Sequence, residues 1–201
     1  MKDITRAILL CILAVSLNFM TGYLFLDIFH IPLFMDTIFT VAIVFYCGLI
    51  PGLCVALSYN IIATFTLVIR GFTFEPYPML FGISGALIAL STWFFARQKE
   101  EFRISTSVTL IYLVLIAVIS SFCSIISSGI IDYVRYTVAN LPDRVGPVRA
   151  FTEAFVNQKF SLFAACILGQ IPSSITDRLI TTFLGFGVYK LMVRVLGEEK
   201  W

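Results

Sequence analysis

Long apolar runs dominate the chain, and the hairpin between residues 31 and 65 shows their pattern most clearly. Two apolar segments are joined by CGLIPG at residues 47–52. Within the hairpin Asp36 is the one charged residue, near the entrance of the first segment, and Asn60 lies towards the end of the second. A surface helix of a soluble protein keeps a polar face, which neither segment has. The pattern therefore predicts an antiparallel pair of transmembrane helices with Asp36 and Asn60 at the same end.

Similar apolar runs recur along the rest of the chain and predict an all-α integral membrane protein. The first run follows a basic start but has no small-residue cleavage site, so we predict a retained helix. The last run, residues 160–196, is too long for one straight span, and we expect Pro172 to divide it. A short helix around 152–169 is then expected to pack over the mouth of the bundle. The six predicted spans are about 4–26, 33–47, 51–69, 79–95, 105–131 and 172–196, with an outer gate region at 132–171.

The basic residues predict which way the spans run. Lys and Arg accumulate in short cytoplasmic flanks of membrane helices. Placing both termini in the cytoplasm leaves only Arg70 in a short outer connection, besides the mixed charges of the 132–159 loop. We therefore expect one six-span domain over residues 1–201. The residues then predicted on the cytoplasmic side are Lys2, Arg6, Arg97, Lys99, Arg103, Lys190, Arg194 and Lys200.

Composition supports the membrane assignment and excludes several other classes of protein. Of the 201 residues 59% are hydrophobic and 13% are charged, against about a quarter charged in soluble domains. A net charge of +2 without a basic, aromatic-rich stripe gives no reason to expect nucleic acid as a partner. The five cysteines stand singly in apolar runs, so neither a metal site nor a disulfide framework is predicted. No motif for a cofactor is present, and none is expected.

The sequence GISG at residues 82–85 raises an enzymatic alternative. Rhomboid-type intramembrane proteases carry their serine nucleophile in such a motif, so Ser84 is a candidate nucleophile. That chemistry needs a histidine base within hydrogen-bonding distance. The one histidine, His30, lies in the connection after span 1. We therefore expect a small-residue packing stripe here, and not an enzyme, with an intramembrane hydrolase using Ser84 as the alternative.

Ionisable residues inside predicted spans are costly in lipid and are usually functional. Asp36 lies near the outer end of span 2 with Thr37 and Thr40, and Asp177 and Arg178 lie in the outer part of the last span. One interpretation is a salt bridge that fixes helix register, for example between Asp36 and Arg178. The other is a polar pocket near the outer face, walled by spans 2, 3 and 6. One residue can serve both purposes, and both interpretations stay open.

Residues of the outer connections add to this candidate pocket. Glu75 precedes span 4, and Tyr133 and Arg135 follow span 5. Aromatic residues at this level are also common as interfacial anchors, so only a few are expected to line a pocket. The residues predicted to bind a small molecule are Asp36, Thr40, Asn60, Glu75, Tyr133, Arg135, Asp177 and Arg178.

Several stretches of the chain together resemble the substrate-binding (S) component of energy-coupling factor (ECF) transporters, a bacterial family of vitamin-uptake proteins. The hairpin LFMDTIFTVAIVFYCGLIPGLCVALSYNIIATF is similar to the span 2–3 hairpin of that family. YPMLFGISGALIAL is similar to its entry into span 4, and ILGQIPSSITDRLITTFL to its final span, where an acidic–basic pair is frequent.

This resemblance implies a function that the chain performs with other proteins. It implies binding of a vitamin-like nutrient outside the bacterial cytoplasmic membrane and uptake with a transmembrane coupling subunit and two ATPase subunits. It also implies that small residues of span 1, here Ala7, Cys11 and Ala14, dock against the coupling subunit, and that loops 27–32 and 132–159 act as gates. The chain has no Walker A motif and no inverted repeat with broken helices, which agrees with an external energy source. A membrane-embedded sensor domain is the alternative from another class.

Overall fold

The computed structural model describes residues 2–29, 31, 33–98, 102, 105–140 and 146–197. The secondary structure of these residues is helical throughout, without strands. The first helix continues into a π-helical turn, Leu24–Ile28. The described helices are α1 (Lys2–Tyr23), α2 (Ile38–Cys47), α3 (Leu49–Ile69), α4 (Tyr77–Ala96), α5 (Thr106–Ala139), α6 (Gly146–Asn157) and α7 (Leu162–Leu196).

Long apolar helices confirm an all-α, multi-pass membrane protein. In the described part of the chain, five helical segments are long and apolar enough to cross a bilayer. They correspond to the predicted spans 1, 3, 4, 5 and 6, although several bounds differ. The five segments are Ile4–Ile28, Leu49–Ile69, Tyr77–Ala96, Thr106–Ala139 and Leu162–Leu196.

The predicted span over residues 33–47 differs most from the structure. Its helix, α2, begins only at Ile38 and has 10 residues, which is about 15 Å of helix and about half of a bilayer's hydrocarbon core. Residues 33–36 before it are not helical. Nearly every residue of α2 is buried inside the protein. A helix can be apolar all round because it faces lipid or because other helices surround it. The apolar pattern of α2 therefore reflects burial inside the bundle.

The tight turn of the hairpin lies where the sequence predicts it. Helix α2 ends at Cys47 and α3 begins at Leu49, with Gly48 between them at φ +91°. Glycine adopts this conformation without the steric cost that other residues meet. Pro51 lies in the first turn of α3, where a missing N–H leaves no helical hydrogen bond unmade.

Hydrogen bonds show that both chain ends lie at one end of the bundle. Arg6, near the start of α1, donates to the Leu196 carbonyl oxygen at 2.7 Å. The Tyr46 hydroxyl, near the α2–α3 turn, donates to the Gly197 carbonyl oxygen at 2.9 Å. At the opposite end Arg70 forms a salt bridge with Asp27 at 3.2 Å. This up-and-down arrangement agrees with the predicted order of spans.

Helices α5 and α7 are longer than predicted, with 34 and 35 residues. The expectation that Pro172 divides the last apolar run is wrong, because α7 passes through it without a break. Prolines are tolerated in membrane helices where side chains and neighbouring helices satisfy the freed backbone groups.

The short helix expected around 152–169 also needs correction. Helix α6 ends at Asn157, and residues 162–169 belong to α7. Gly169 lets α6 pack closely on α7, since a Cβ there would come within 2.4 Å of the Thr152 hydroxyl oxygen. The predicted gates at 27–32 and 132–159 include residues 30, 32 and 141–145, which lie outside the described residues.

The half of the bundle near the chain ends, here called the closed half, has a well-filled core. The Phe45 ring of α2 lies 5.2 Å from that of Phe186 and 5.4 Å from that of Tyr189, both on α7. Phe102 packs against the same group, with its ring 5.5 Å from that of Phe45. The opposite half, here called the cavity half, contains the open space described next.

Candidate functional site

A cavity of about 220 Å³ lies between the helices in the cavity half. The non-helical segment before α2 and helices α3, α4, α5 and α7 form its walls. Most of the surface is apolar, with a few polar groups reaching it. Its lining consists of Phe34, Asp36, Thr37, Tyr59, Asn60, Ala63, Leu67, Pro78, Phe81, Ser84, Gly85, Ile88, Ser124, Ser128, Arg135, Gln170 and Arg178.

The non-helical segment places Asp36 and Thr37 at the cavity wall. Met35, immediately before them, is buried and has φ +49°, an uncommon conformation for a residue with a side chain. Its N–H donates to Asp177 Oδ1 at 2.8 Å, and its carbonyl oxygen accepts from the Thr21 hydroxyl at 2.7 Å. Side chains of α1 and α7 thus replace the backbone bonds that a helix would make, as buried backbone groups require.

Arg178 links α7 to this segment. Its Nη1 donates to the Thr37 hydroxyl oxygen at 2.6 Å, and its Nη2 forms a close salt bridge with the neighbouring Asp177. The Asp36 carboxylate is farther away, 3.7 Å from Nη2. In the part of the chain that the structure describes, the buried Arg178 Nε has no hydrogen-bond partner. Arg178 therefore forms a buried salt bridge and also lines the pocket, so both interpretations of the sequence apply to it. Its nearer ionic partner is Asp177 and not Asp36.

Asp36 has a hydrogen-bond partner that the sequence did not single out. The Tyr59 hydroxyl of α3 hydrogen-bonds to the Asp36 carboxylate, and both residues line the cavity. The available signal was a tyrosine in mid-span, away from the interfacial levels where such residues usually act as anchors. Asn60, the next residue, also lines the cavity, and its side-chain nitrogen donates to the Ala56 carbonyl oxygen at 3.0 Å.

Serine hydroxyls from α4 and α5 form another part of the wall. Ser84 Oγ lies 2.7 Å from Ser127 Oγ and 3.1 Å from Ser128 Oγ, with hydrogen bonds between them. Within the described ranges, the hydrogen-bond partners of Ser84 Oγ are serine hydroxyls, and none of them is a general base. His30, the base considered from the sequence, lies outside them. Ser84 therefore contributes a hydroxyl to the cavity, in addition to the helix packing that the sequence predicted.

A second ion pair lies at the cavity wall formed by α5. Arg135 Nη2 is 3.3 Å from Glu75 Oε2, and both side chains are largely buried, 5% and 12% exposed. Arg135 lines the cavity, whereas Glu75 lies beyond it. Gln170 of α7 also lines the cavity and donates to the Asp132 carboxylate.

The eight residues predicted to bind a small molecule separate into two groups. Asp36, Asn60, Arg135 and Arg178 line the cavity. The others lie elsewhere: Thr40 is buried between α1 and α2, where Asn18 Nδ2 donates to it at 2.9 Å, and the Tyr133 ring packs edge-on against Phe163. Glu75 and Asp177 act behind the wall as partners of the two arginines.

The residues expected to dock a coupling subunit are partly or fully buried in this fold. Ala14 has 3% of its surface exposed and lines an apolar groove of about 230 Å³ that α1, α2 and α7 form. The Cys11 thiol donates to the Pro51 carbonyl oxygen of α3 at 3.7 Å, and Ala7 is half-buried. The exposed face of α1 carries large side chains such as Ile8 and Ile12. The docking role of the three small residues stays a prediction.

Comparisons with known proteins give no information on function, so the functional argument depends on the cavity. No family model, curated protein or solved structure matches the chain. Across the residues that the structure describes, no three or more His, Cys, Asp or Glu side chains are grouped so that they could hold a metal ion. The arrangement is suited to enclosing a small molecule against apolar walls and orienting it through a few polar groups.

Proposed function

We propose that the protein is a membrane-embedded binding subunit that captures a small, nutrient-like molecule in this cavity. Uptake then takes place with a transmembrane coupling subunit and two ATPase subunits supplied by other chains, in a bacterial cytoplasmic membrane. The observation that carries the proposal is a cavity whose walls bring Asp36, Arg135 and Arg178 together between membrane helices.

Charged groups at this depth support a binding role because they are expensive in a membrane protein. Residues of this kind usually face a cavity and mark the path of a substrate or ion. Asp36 and Arg178 lie 142 positions apart in the chain, and the fold brings both to the cavity wall. The apolar remainder of the lining resembles that of small-molecule sites, in which a few polar groups provide orientation.

The orientation of the chain supports capture from outside. The cavity lies in the half of the bundle opposite the chain ends. With six spans and both ends in the cytoplasm, as the Lys and Arg pattern predicts, this half faces the outside. The short helix α2, together with residues 33–37, then serves as the sixth crossing.

The direct test is to purify the protein in mild detergent and analyse the released small molecules by mass spectrometry. We expect one compound to be enriched in the wild-type protein and depleted in an Ala63→Phe variant, in which the new ring occupies the cavity. Co-expression with coupling and ATPase subunits should then yield a complex that takes up this compound. Absence of any bound compound, together with absence of such a complex, would contradict the proposal.

A further inference from the structure

The charges around the cavity point to the chemical class of its ligand. Within the described residues, three carboxylates around the cavity, those of Asp36, Asp177 and Glu75, form ion pairs with two guanidinium groups, those of Arg178 and Arg135.

The two arginines already have carboxylate partners close to them. Arg178 is in close contact with Asp177, and Arg135 lies 3.3 Å from Glu75. The 3.7 Å between Asp36 Oδ1 and Arg178 Nη2 is too long for a hydrogen bond. Asp36 is therefore the least neutralised carboxylate of the cavity wall.

Asp36 is also the carboxylate that a ligand can reach. Its side chain is 20% exposed, whereas that of Asp177 is fully buried behind it. The Tyr59 hydroxyl hydrogen-bonds to Asp36, and a carboxylate can accept several hydrogen bonds. The Asp36 carboxylate can therefore accept a further hydrogen bond from a ligand in the cavity.

The walls next to Asp36 suit a ring-shaped cation. Phe34, Tyr59 and Phe81 bring aromatic rings to the lining, and cations are attracted to the faces of such rings. A bound cation would also offset a carboxylate that is costly to leave uncompensated in a largely apolar site.

On these grounds we infer that the cavity binds a small organic cation, a compact ring compound whose protonated nitrogen donates to Asp36. This inference rests on the proposed binding function and narrows its substrate class. An anionic ligand, by contrast, would meet the exposed side of the Asp36 carboxylate and be repelled by it.

The test uses three probes of nearly the same shape and different charge: benzamidine, benzamide and benzoate. Thermal shift and isothermal titration of the purified full chain should show stabilisation by the cation benzamidine and little by the other two. Asp36→Asn should weaken benzamidine binding about tenfold or more, the effect of losing a charge-assisted hydrogen bond. Asp27→Asn is the matched control, because Asp27 is 42% exposed and pairs with Arg70 outside the cavity.

The outcomes separate this inference from the proposed function. Binding of benzoate or benzamide as tight as that of benzamidine, or no shift with any probe, would overturn the inference. If the Asp36→Asn variant fails to fold, binding of the three probes to the wild-type protein still tests the inference. A neutral or anionic compound released from the wild-type protein would overturn the cationic class and leave the binding function standing. Release of a cationic compound supports both.

Discussion

The two halves of the bundle share most of their helices but differ in how their space is used. In the closed half, Phe45 of α2 and Phe186 and Tyr189 of α7 fill the centre with aromatic rings. In the cavity half, α2 has not yet begun, α4 and α5 present small residues such as Ser84 and Ser124, and open space remains between the helices. The comparison teaches that residue volume and the late start of α2 together decide where this fold keeps a cavity.

The polar groups of the two halves differ in the same way. The cavity half contains buried charges that are held by one another and by backbone groups, such as Arg178 and Asp177. In the closed half, Arg6 is half-buried at the rim, where it bonds Tyr46 and the carbonyl oxygen of Leu196. Buried charge in a membrane protein requires such partners, and among the described residues the buried ion pairs Arg178–Asp177 and Arg135–Glu75 lie beside the open space.

The largest effect is expected from Arg178→Met, which leaves Asp177 buried without its ionic partner. Breaking a buried pair in this way destabilises a protein by about 3–5 kcal/mol. Unfolding by heat or denaturant in detergent measures this loss. Arg149→Met is the matched control, since Arg149 pairs with Glu153 at an exposed site and such pairs contribute about 0–1 kcal/mol. Similar stabilities of the two variants would contradict the role given to Arg178.

A pair of identical substitutions tests the difference between the halves directly. Ala96 of α4 is fully buried in the cluster with Phe45 and Phe186, and Ala63 of α3 lines the cavity. Overpacking by Ala96→Phe should destabilise the fold by about 1–3 kcal/mol, while Ala63→Phe should change stability less and abolish ligand binding. Thermal unfolding and ligand titration on both variants separate the two effects. Equal destabilisation of both would mean that the cavity is not open space.

The smallest effect is expected from Ser84→Ala. The substitution removes hydroxyl contacts with Ser127 and Ser128, and a lost hydrogen bond of this kind costs about 0.5–1.5 kcal/mol. Uptake should continue at a rate close to that of the wild type, because the hydroxyl serves only as part of the wall. Loss of all activity with unchanged stability and unchanged binding would instead favour the hydrolase alternative. Ser107→Ala, at an exposed position of α5, serves as the control.

Hydropathy and turn residues were enough to predict much of this fold. Helices α3 and α4 lie close to their predicted bounds, and the turn at Gly48 lies where the glycine and proline pattern indicated. Polar residues inside apolar runs also predicted two of the three charged residues that line the cavity, since Asp36 and Arg178 are costly unless they have a role. Tyr59 was missed because a single tyrosine changes the hydropathy of a span very little.

The start of α2 and the course of α7 could not be predicted from local pattern. Residues 33–37 are apolar enough for a helix, yet the bonds from Met35 to Asp177 and Thr21 hold them in another conformation. Pro172 suggests a break, but the packing of neighbouring helices keeps α7 continuous. In both places, partners far away in the sequence override a local preference.

The sequence by itself determined that this is a helical membrane protein with a few costly polar residues, because hydrophobic length and local charge decide which segments enter lipid. Only the tertiary structure decided which of these residues share a cavity. It placed Asp36, Ser84, Arg135 and Arg178 around one cavity and buried the side chain of Ala14. The physical reason is that burial and charge pairing depend on helix rotation and packing, which join positions more than a hundred residues apart.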